Sequence, residues 1–235
     1  ILEFELIEKE IEEFKKYEKD IEIKHLQTPE WKKFTEDFTY NTNAIEGSTV
    51  ALSEVKDLLE QKEKPKTRDE AETLNVARAV EHIKTSKEKV SLDFLKKIHF
   101  ICFQRTKTFA GELRNVEVVI RDGYGNIVHQ GAPAKDVEKL LKRLCKWYAA
   151  HEKKYPPLLL AAVMHNEFEK IHPFQDGNGR VGRLLLNYVL LRQGYPPINI
   201  KLKDRVRYYS CLQKYDYKND LKSTLKLVVR QYKKK

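Results

Sequence analysis

Twelve consecutive residues, His172 to Arg183 (His-Pro-Phe-Gln-Asp-Gly-Asn-Gly-Arg-Val-Gly-Arg), bring together one imidazole, one carboxylate, an asparagine between two glycines, and two arginines. Gly177-Asn178-Gly179 removes side-chain bulk from a turn that starts a helix, so backbone N–H groups can face an anion. Arg180 and Arg183 are three apart and share a face of that helix's first turns. Two guanidiniums beside a helix N-terminus suit a polyphosphate. Asp176 precedes them, where a carboxylate can hold Mg²⁺ jointly with substrate phosphates. His172 is the side chain there that exchanges a proton near neutral pH. Taken singly, each residue also fits a plain helix–loop–helix corner, with Asp176 as N-cap, Gly179 for close packing and the arginines in solvent. A corner built only for stability has no need of all these groups on one loop.

The elements that must position this loop follow from apolar periodicity and from start and stop residues. Leu158 to Ile171 runs into the loop after Pro156-Pro157, and Val181 to Gln193 runs out of it, apolar nearly all round as a central buried helix should be. Near the start, Thr28 as N-cap and Pro29 at the first helical position predict a helix through Trp31, Phe34, Phe38 and Ile45 that stops at Gly47. Thr42 and Glu46 are four apart on that helix, hence on one face. A glutamate at a helix C-terminus opposes the dipole, which implies that Glu46 has a cationic partner elsewhere.

Leu2 to Lys19, with Leu2, Leu6, Phe14 and Tyr17, reads as a surface helix. Ser53 is expected to cap a short helix to Gln61, Thr67 to begin the next, and Ser91 to cap Leu92 to Gln104, all as scaffold without chemistry of their own. Pro133 opens a helix to His151, and Arg205 to Tyr215 and Leu221 to Tyr232 form the last two. Between them, Val116, Val118 and Ile120 alternate with polar residues, Asp122-Gly123-Tyr124-Gly125-Asn126 makes a turn, and Ile127 and Val128 follow. That pattern is a β-hairpin in a helical chain. His165, Glu169 and His172 lie at spacings of four and three and share a helix face, so they read either as a metal site or as packed, hydrogen-bonded groups.

The stretch from His172 to Arg183 resembles the signature of the Fic family, His-x-Phe-x-Asp/Glu-Gly-Asn-Gly-Arg-x-x-Arg, with every specified position filled. The resemblance implies an all-α fold, the Fic helical bundle with a β-hairpin flap, and transfer of AMP from ATP to a protein hydroxyl (AMPylation) or, in some members, its removal. It implies that His172 is the general base and that Asp176 binds Mg²⁺. Gly177, Asn178 and Gly179 would form the anion hole, Arg180 would grip the phosphates, Arg183 would hold the γ-phosphate, and Phe174 would anchor the loop. Thr42 to Gly47 resembles the family's inhibitory Ser/Thr-x-x-x-Glu-Gly/Asn motif, whose glutamate, here Glu46, pairs with the second arginine, here Arg183. The hairpin, with Val118, Val119 and Ile120, would be the flap on which an extended target segment docks by edge pairing. Gly111-x-x-Arg114 ahead of it also fits the family. Tyr208 and Tyr209 stand where the resemblance puts the adenosine end of the site, and both also read as core.

Composition bounds the remaining classes. The chain has 235 residues, 41% hydrophobic and 34% charged, enough for a sizeable core in one domain with an extension. Residues 1–90 read as an N-terminal helical region carrying the inhibitory helix at about 28–47, and residues 91–235 as the Fic core. No apolar run approaches a membrane span. The net charge of +10 invites a nucleic-acid reading, but lysines scattered among glutamates argue against it. The basic end Lys233-Lys234-Lys235 reads as a solvated tail. Cys102, Cys145 and Cys211 lack metal spacing and read as small core groups of a reducing cytoplasm. Abundant lysine and glutamate with few glycines is compatible with a thermophilic source. The sole methionine is Met164, which implies a piece of a longer chain.

The expectation is therefore a Mg²⁺-dependent protein adenylyltransferase acting on ATP and an unidentified protein, held off by Glu46. The alternatives are a deAMPylase or bifunctional enzyme in which Glu46 orients a water, transfer of a different phosphate-containing group, and a nucleotide-binding regulator with a DNA-binding part elsewhere. Oligomerisation is left open, including whether the Glu46 helix serves its own chain or a neighbour's.

Overall fold

Capping chemistry sets several helix starts in the computed structural model, which describes residues 8–19, 21–61, 64–121 and 124–233. Leu2 and Leu6 of the opening segment, Asp122-Gly123 of the hairpin turn and Lys234-Lys235 of the tail lie outside the described residues. The described helices are α1 (Glu8–Lys15), α2 (Thr28–Ile45), α3 (Leu52–Gln61), α4 (Arg68–Thr85), α5 (Leu92–Phe103), α6 (Val137–His151), α7 (Pro157–Ile171), α8 (Asn178–Arg192), α9 (Arg205–Lys218) and α10 (Leu221–Lys233). Strands β1 (Val119–Arg121) and β2 (Ile127–Gln130) form the one described sheet. The chain is all-α with a hairpin.

Thr67 and Glu70 close a reciprocal capping box at the start of α4, and Ser91 accepts the Phe94 N–H at the start of α5. Two expected starts move, that of α2 by one residue and that of α3 by two. Gln27, not Thr28, is the N-cap of α2, where the Glu30 carboxylate accepts the Gln27 N–H at 2.8 Å. Ser53 lies inside α3, because Glu54 reaches back to the Ala51 N–H at 2.7 Å and draws the start forward. Glu46 caps α2 at its C-terminal end, and Gly47 takes the left-handed conformation (φ 94°) that a residue with Cβ rarely adopts.

The centre is α7, buried almost without interruption from Leu158 to Ile171, and α8, which folds back along it. Helices α4 and α5 cover α8 from one side, and α6, α9 and α10 cover α7. Phe38, Val76, Val80, Ile83 and Val90 share one continuous apolar core with Phe94, Leu141, Leu160 and Leu185. A smaller cluster of Ile45, Ile200, Tyr208, Cys211 and Leu227 ties the end of α2 to α9 and α10. All three cysteines are buried and unpaired, and burial pushes the Cys102 thiol up to about 12 and that of Cys145 up to about 11. Among the described residues, no helix is long and apolar enough to cross a membrane.

The hairpin differs from simple alternation. Val119 pairs with Gln130, Ile120 with His129 and Arg121 with Ile127, with a bulge between Ile120 and Arg121. Regular pairing therefore begins at Val119 rather than Val116, although the Val118 carbonyl still accepts the Gly131 N–H at 3.2 Å. Val116, Val119, Ile120 and Ile127 are all exposed, so the ribbon stands off the bundle with apolar surface on an open edge.

The core sets one quantitative expectation. Leu185→Ala removes a fully buried side chain from α8 and is expected to cost about 2–5 kcal/mol, read as a lowered urea midpoint with an unchanged slope.

Candidate active site

The loop between α7 and α8 begins with a strained residue. His172 ends α7 in the left-handed region (φ 52°, ψ 62°), although a residue before proline prefers extended backbone. Arg114, buried just ahead of the hairpin, holds it there. Its Nε donates to the His172 carbonyl at 2.6 Å, its Nη1 to the Val116 carbonyl at 2.8 Å, and its Nη2 to the carbonyls of Ala132 and Ile171. Its own N–H donates to the Pro173 carbonyl at 3.0 Å. One guanidinium thus joins the end of α7, the loop and both legs of the hairpin.

Further along, Phe174 is buried and stacks on His99 of α5 with ring centroids 3.9 Å apart. The Asn178 side chain accepts the Phe174 N–H and donates to the Phe174 carbonyl, both at 2.8 Å, which closes the loop on itself. Asn178 therefore offers an anion only its backbone. Gly177 sits at φ 86°, and a Cβ there would lie 2.2 Å from the Phe103 ring. A Cβ on Gly179 would lie 2.2 Å from Glu46 Oε1. The buried Phe103 ring and a positive φ require glycine at 177, whereas a side chain at 179 would have to displace the tip of Glu46.

Arg183 is buried with its charge. Its Nη2 donates to Glu46 Oε1 at 2.7 Å and to the Thr42 carbonyl at 3.0 Å, its Nε to Thr42 Oγ1 at 2.8 Å, and its Nη1 to the Tyr208 hydroxyl at 3.2 Å. Burial alone would weaken its hold on the proton, but Tyr208, Glu46 and Glu169 outweigh it and push its pKa up. The cation implied by Glu46's position is thus Arg183 of the same chain.

Arg180 turns elsewhere. It pairs with Glu72 of α4 at 2.5 Å and lies over the Phe103 ring at 4.4 Å. The two arginines therefore do not converge here, although they are three residues apart. Arg183 lines a cavity of about 450 Å³ with His172, Gly179, Ile120, His129, Glu169, Tyr208 and Tyr209. Arg180 lines a polar cavity of about 270 Å³ with Asp176, Glu72, Lys107 and Arg68. Glu46 forms part of the wall of both.

Asp176 uses one oxygen to accept the Gly177 N–H at 2.6 Å and the other to meet Lys107 at 2.5 Å. Partial burial pushes its pKa up, but Lys107 and Arg180 outweigh that and hold it below the usual carboxylate value. His172 faces the larger cavity. Burial first, then the neighbouring His129 ring, lowers it to about 4, against the pull of the Glu169 carbonyl and the Glu46 carboxylate. It is neutral at neutral pH and able to accept a proton.

Helices read as plain scaffold supply several of these contacts. Glu72 of α4 holds Arg180, and His99 of α5 accepts the Gly111 N–H at 2.8 Å and meets the Asp176 carbonyl at 3.0 Å. Both sit on the apolar stripes of their helices, next to Val76 and Cys102, and a polar residue on such a stripe was the signal available. Lys107 follows α5 in an irregular segment and carried no such signal. Of the helix-face trio, His165 is buried and meets the Tyr208 hydroxyl at 3.0 Å. Tyr208 is core, while Tyr209 is only partly buried, donates to the Ile45 carbonyl at 3.4 Å and shows its ring to the cavity. Val118 lies at the foot of the hairpin, with Val119 and Ile120 on its exposed edge.

Known proteins share this fold and part of this sequence. The family described as Fic/DOC matches residues 89–190. A protein of Nematostella vectensis named Protein adenylyltransferase Fic is 30% identical over 200 residues, covering 81% of this chain and 45% of that protein. The chain thus spans about half the length of this relative. A Fic domain-containing signaling protein of Bacteroides thetaiotaomicron superposes with a TM-score of 0.80 at 25% identity, over 95% of this chain and 91% of that one. The N-terminal Fic domain of a Bartonella quintana effector, solved with bound ADP, superposes with a TM-score of 0.58 at 20% identity, over 72% of this chain and 86% of that one.

One buried acid yields a pH test. Burial raises Glu169 to about 8, with Arg183 opposing and Glu46 adding to the shift. Between its ordinary value of 4.5 and about 8 the folded state keeps a proton that the unfolded state has lost, so this group subtracts stability as pH rises through that window. Glu169→Gln removes the effect. Relative to the parent, its stability is expected to gain up to about 1.4 kcal/mol per pH unit between pH 5 and 8. Urea midpoints of both proteins across that range check it, and a constant difference would refute the assignment.

Proposed function

From a chain whose residues 89–190 are a domain of the Fic/DOC family, we propose a nucleotidyltransferase that moves AMP from ATP to a Ser, Thr or Tyr hydroxyl of another protein. The observation that carries the reading is a neutral imidazole, His172, and a buried guanidinium, Arg183, in one cavity of about 450 Å³ beside the N-terminus of α8. The adenylyltransferase name of the Nematostella relative and the ADP in the Bartonella domain support it.

In this reading an extended target segment pairs with the exposed edge of Val119–Arg121, next to Val118, and brings its hydroxyl to His172. His172 takes the proton as the oxygen attacks the α-phosphorus in line, and pyrophosphate leaves. The N–H groups at the start of α8, Arg180 and Arg183 stabilise the developing charge, with Arg183 on the γ-phosphate. Tyr209 flanks the adenosine end, with Tyr208 behind it.

The residues present fit Mg²⁺ of the kind held by one carboxylate with substrate phosphates and waters. Asp176 is a half-exposed carboxylate on the polar cavity, and Lys107 now neutralises the oxygen that a cation would take. When bound, the ion would neutralise phosphate charge. Asp176 would hold it, with Lys107 yielding its contact.

Glu46 is the proposed brake. Its carboxylate occupies the Arg183 guanidinium where a γ-phosphate would bind, so ATP enters misaligned or not at all. Residues 1–90 then act as a regulatory helical region on a catalytic core of residues 91–235. The same carboxylate also lines the His172 cavity, which favours one second reading: Glu46 orients a water for hydrolysis of an AMP-modified protein.

Label from α-phosphate-labelled ATP, with Mg²⁺, separates these readings when the unmodified chain, Glu46→Gly and Glu46→Gly/His172→Ala are compared. Strong labelling only in Glu46→Gly is the expected result, with a fall of roughly 10²-fold or more on losing His172. Equal labelling of the unmodified chain and Glu46→Gly would remove the inhibitory role of Glu46. Release of AMP from a modified protein, with no labelling anywhere, would select the hydrolytic reading.

A further inference from the structure

His172 is not the only imidazole facing the larger cavity. His129 projects from β2, with its ring centroid 5.5 Å from that of His172 and the planes tilted by 56°. Its Nδ1 lies 2.9 Å from Oδ2 of Asp216 on α9, and the two side chains are 14% and 21% exposed. An ionised carboxylate only accepts, so Nδ1 carries the proton of this contact and Nε2 keeps its lone pair. That Nε2 is buried with no partner, and so is Nδ1 of His172. The neighbouring strand position is also tied to α9, since the Tyr217 hydroxyl donates to the Val128 carbonyl at 3.3 Å.

Once His172 has taken a proton it is an imidazolium only partly exposed to solvent, and that proton must go on to another group. The charged and titratable groups around it come from several elements. Glu46, beyond the end of α2, is engaged by Arg183 of α8. Arg114, Lys170 of α7 and Arg205 of α9 are cations and accept nothing. Glu169 of α7 is a buried acid raised to about 8, already protonated at neutral pH. Asp216 is used by His129. Among the described residues this leaves the Nε2 lone pair of His129, backed by a carboxylate.

We propose that His129, fixed in tautomer and orientation by Asp216, is the second proton acceptor of the site and relieves His172 of the proton taken from the target hydroxyl. The inference rests on the transferase reading given above. The target O–H bond breaks as its oxygen bonds the α-phosphorus, and the proton goes to His172. It passes to Nε2 of His129 by ring-edge approach or across one water, and then to solvent. No electrons change hands, and the products are the AMP-modified hydroxyl, pyrophosphate and one proton. Asp216 steadies the transient imidazolium on His129, as a buried carboxylate does behind a proton-shuttling histidine.

Chemical rescue tests this in a way that a merely structural role would not satisfy. In the Glu46→Gly background and at saturating ATP, His129→Gly is expected to lose roughly 10- to 100-fold in label transfer. Added imidazole is expected to restore much of it, with methylimidazoles ranked by basicity. Asp216→Asn is expected to lose less and to move the alkaline or acid limb of the pH profile. Side-chain ¹⁵N spectra of the unmodified 235-residue chain provide a readout that needs no turnover: His129 is expected as the Nδ1–H tautomer at neutral pH, and Asp216→Asn to redistribute it. An active parent whose His129→Gly variant ignores imidazole overturns the relay, as does an Nε2–H tautomer. An inactive Glu46→Gly parent would instead overturn the transferase reading, and it would be seen before any change at His129.

Discussion

A guanidinium buried with its charge must be paired, and Arg183 is the group on which this site depends. It sits in the first turns of the central helix and cannot shed its proton, so a partner is obligatory. In the structure that partner is the last turn of α2, through the Thr42 hydroxyl and carbonyl and the Glu46 carboxylate. Much around it follows from this need. Glu46 stands at a helix end that disfavours it, and Gly47 lets the chain turn away at once. A side chain at Gly179 would run into that carboxylate. Glu169 nearby keeps its proton only because its burial outweighs the pull of the Arg183 charge. A ligand that displaces Glu46 must itself supply negative charge, which is what a terminal phosphate does.

The loop that carries the remaining chemistry is held from three sides. Arg114 fixes its strained start, His99 and Phe174 stack beneath it, and Asn178 staples its two ends. This rigidity keeps His172 in left-handed backbone, an arrangement that costs on the order of 1–3 kcal/mol and persists because the surroundings over-determine it. Preorganisation of this kind lets N–H groups and arginines act without rearranging during reaction.

Glu46 also separates two spaces with different character. The larger one is walled by aromatic and apolar side chains of the hairpin and α9, and the smaller by charges from α4, α8 and the segment after α5. Arg180 and Arg183 are divided between them, each held by a carboxylate of the N-terminal helices, Glu72 and Glu46. In the proposed function both pairs must loosen before one nucleotide can engage both arginines, so the N-terminal region and the core act as one device.

The chain's local chemistry determined a good deal by itself. Contiguous apolar periodicity, proline and glycine placement and several caps set the helices and the hairpin, to within about four residues at their ends. The run from His172 to Arg183 placed an imidazole, a carboxylate and two guanidiniums on one loop, because neighbours in sequence are neighbours in space across a tight turn. The dipole mismatch at Glu46 even called for a distant cation. Tertiary packing alone decided which cation that is, that Arg180 turns to Glu72, that Lys107 covers Asp176, and that His129 and Asp216 meet beside His172. Those pairings join residues separated by 69 to 137 positions. Such contacts depend on how helices cross and on which buried charge finds which partner, and neither leaves a periodic trace in the sequence.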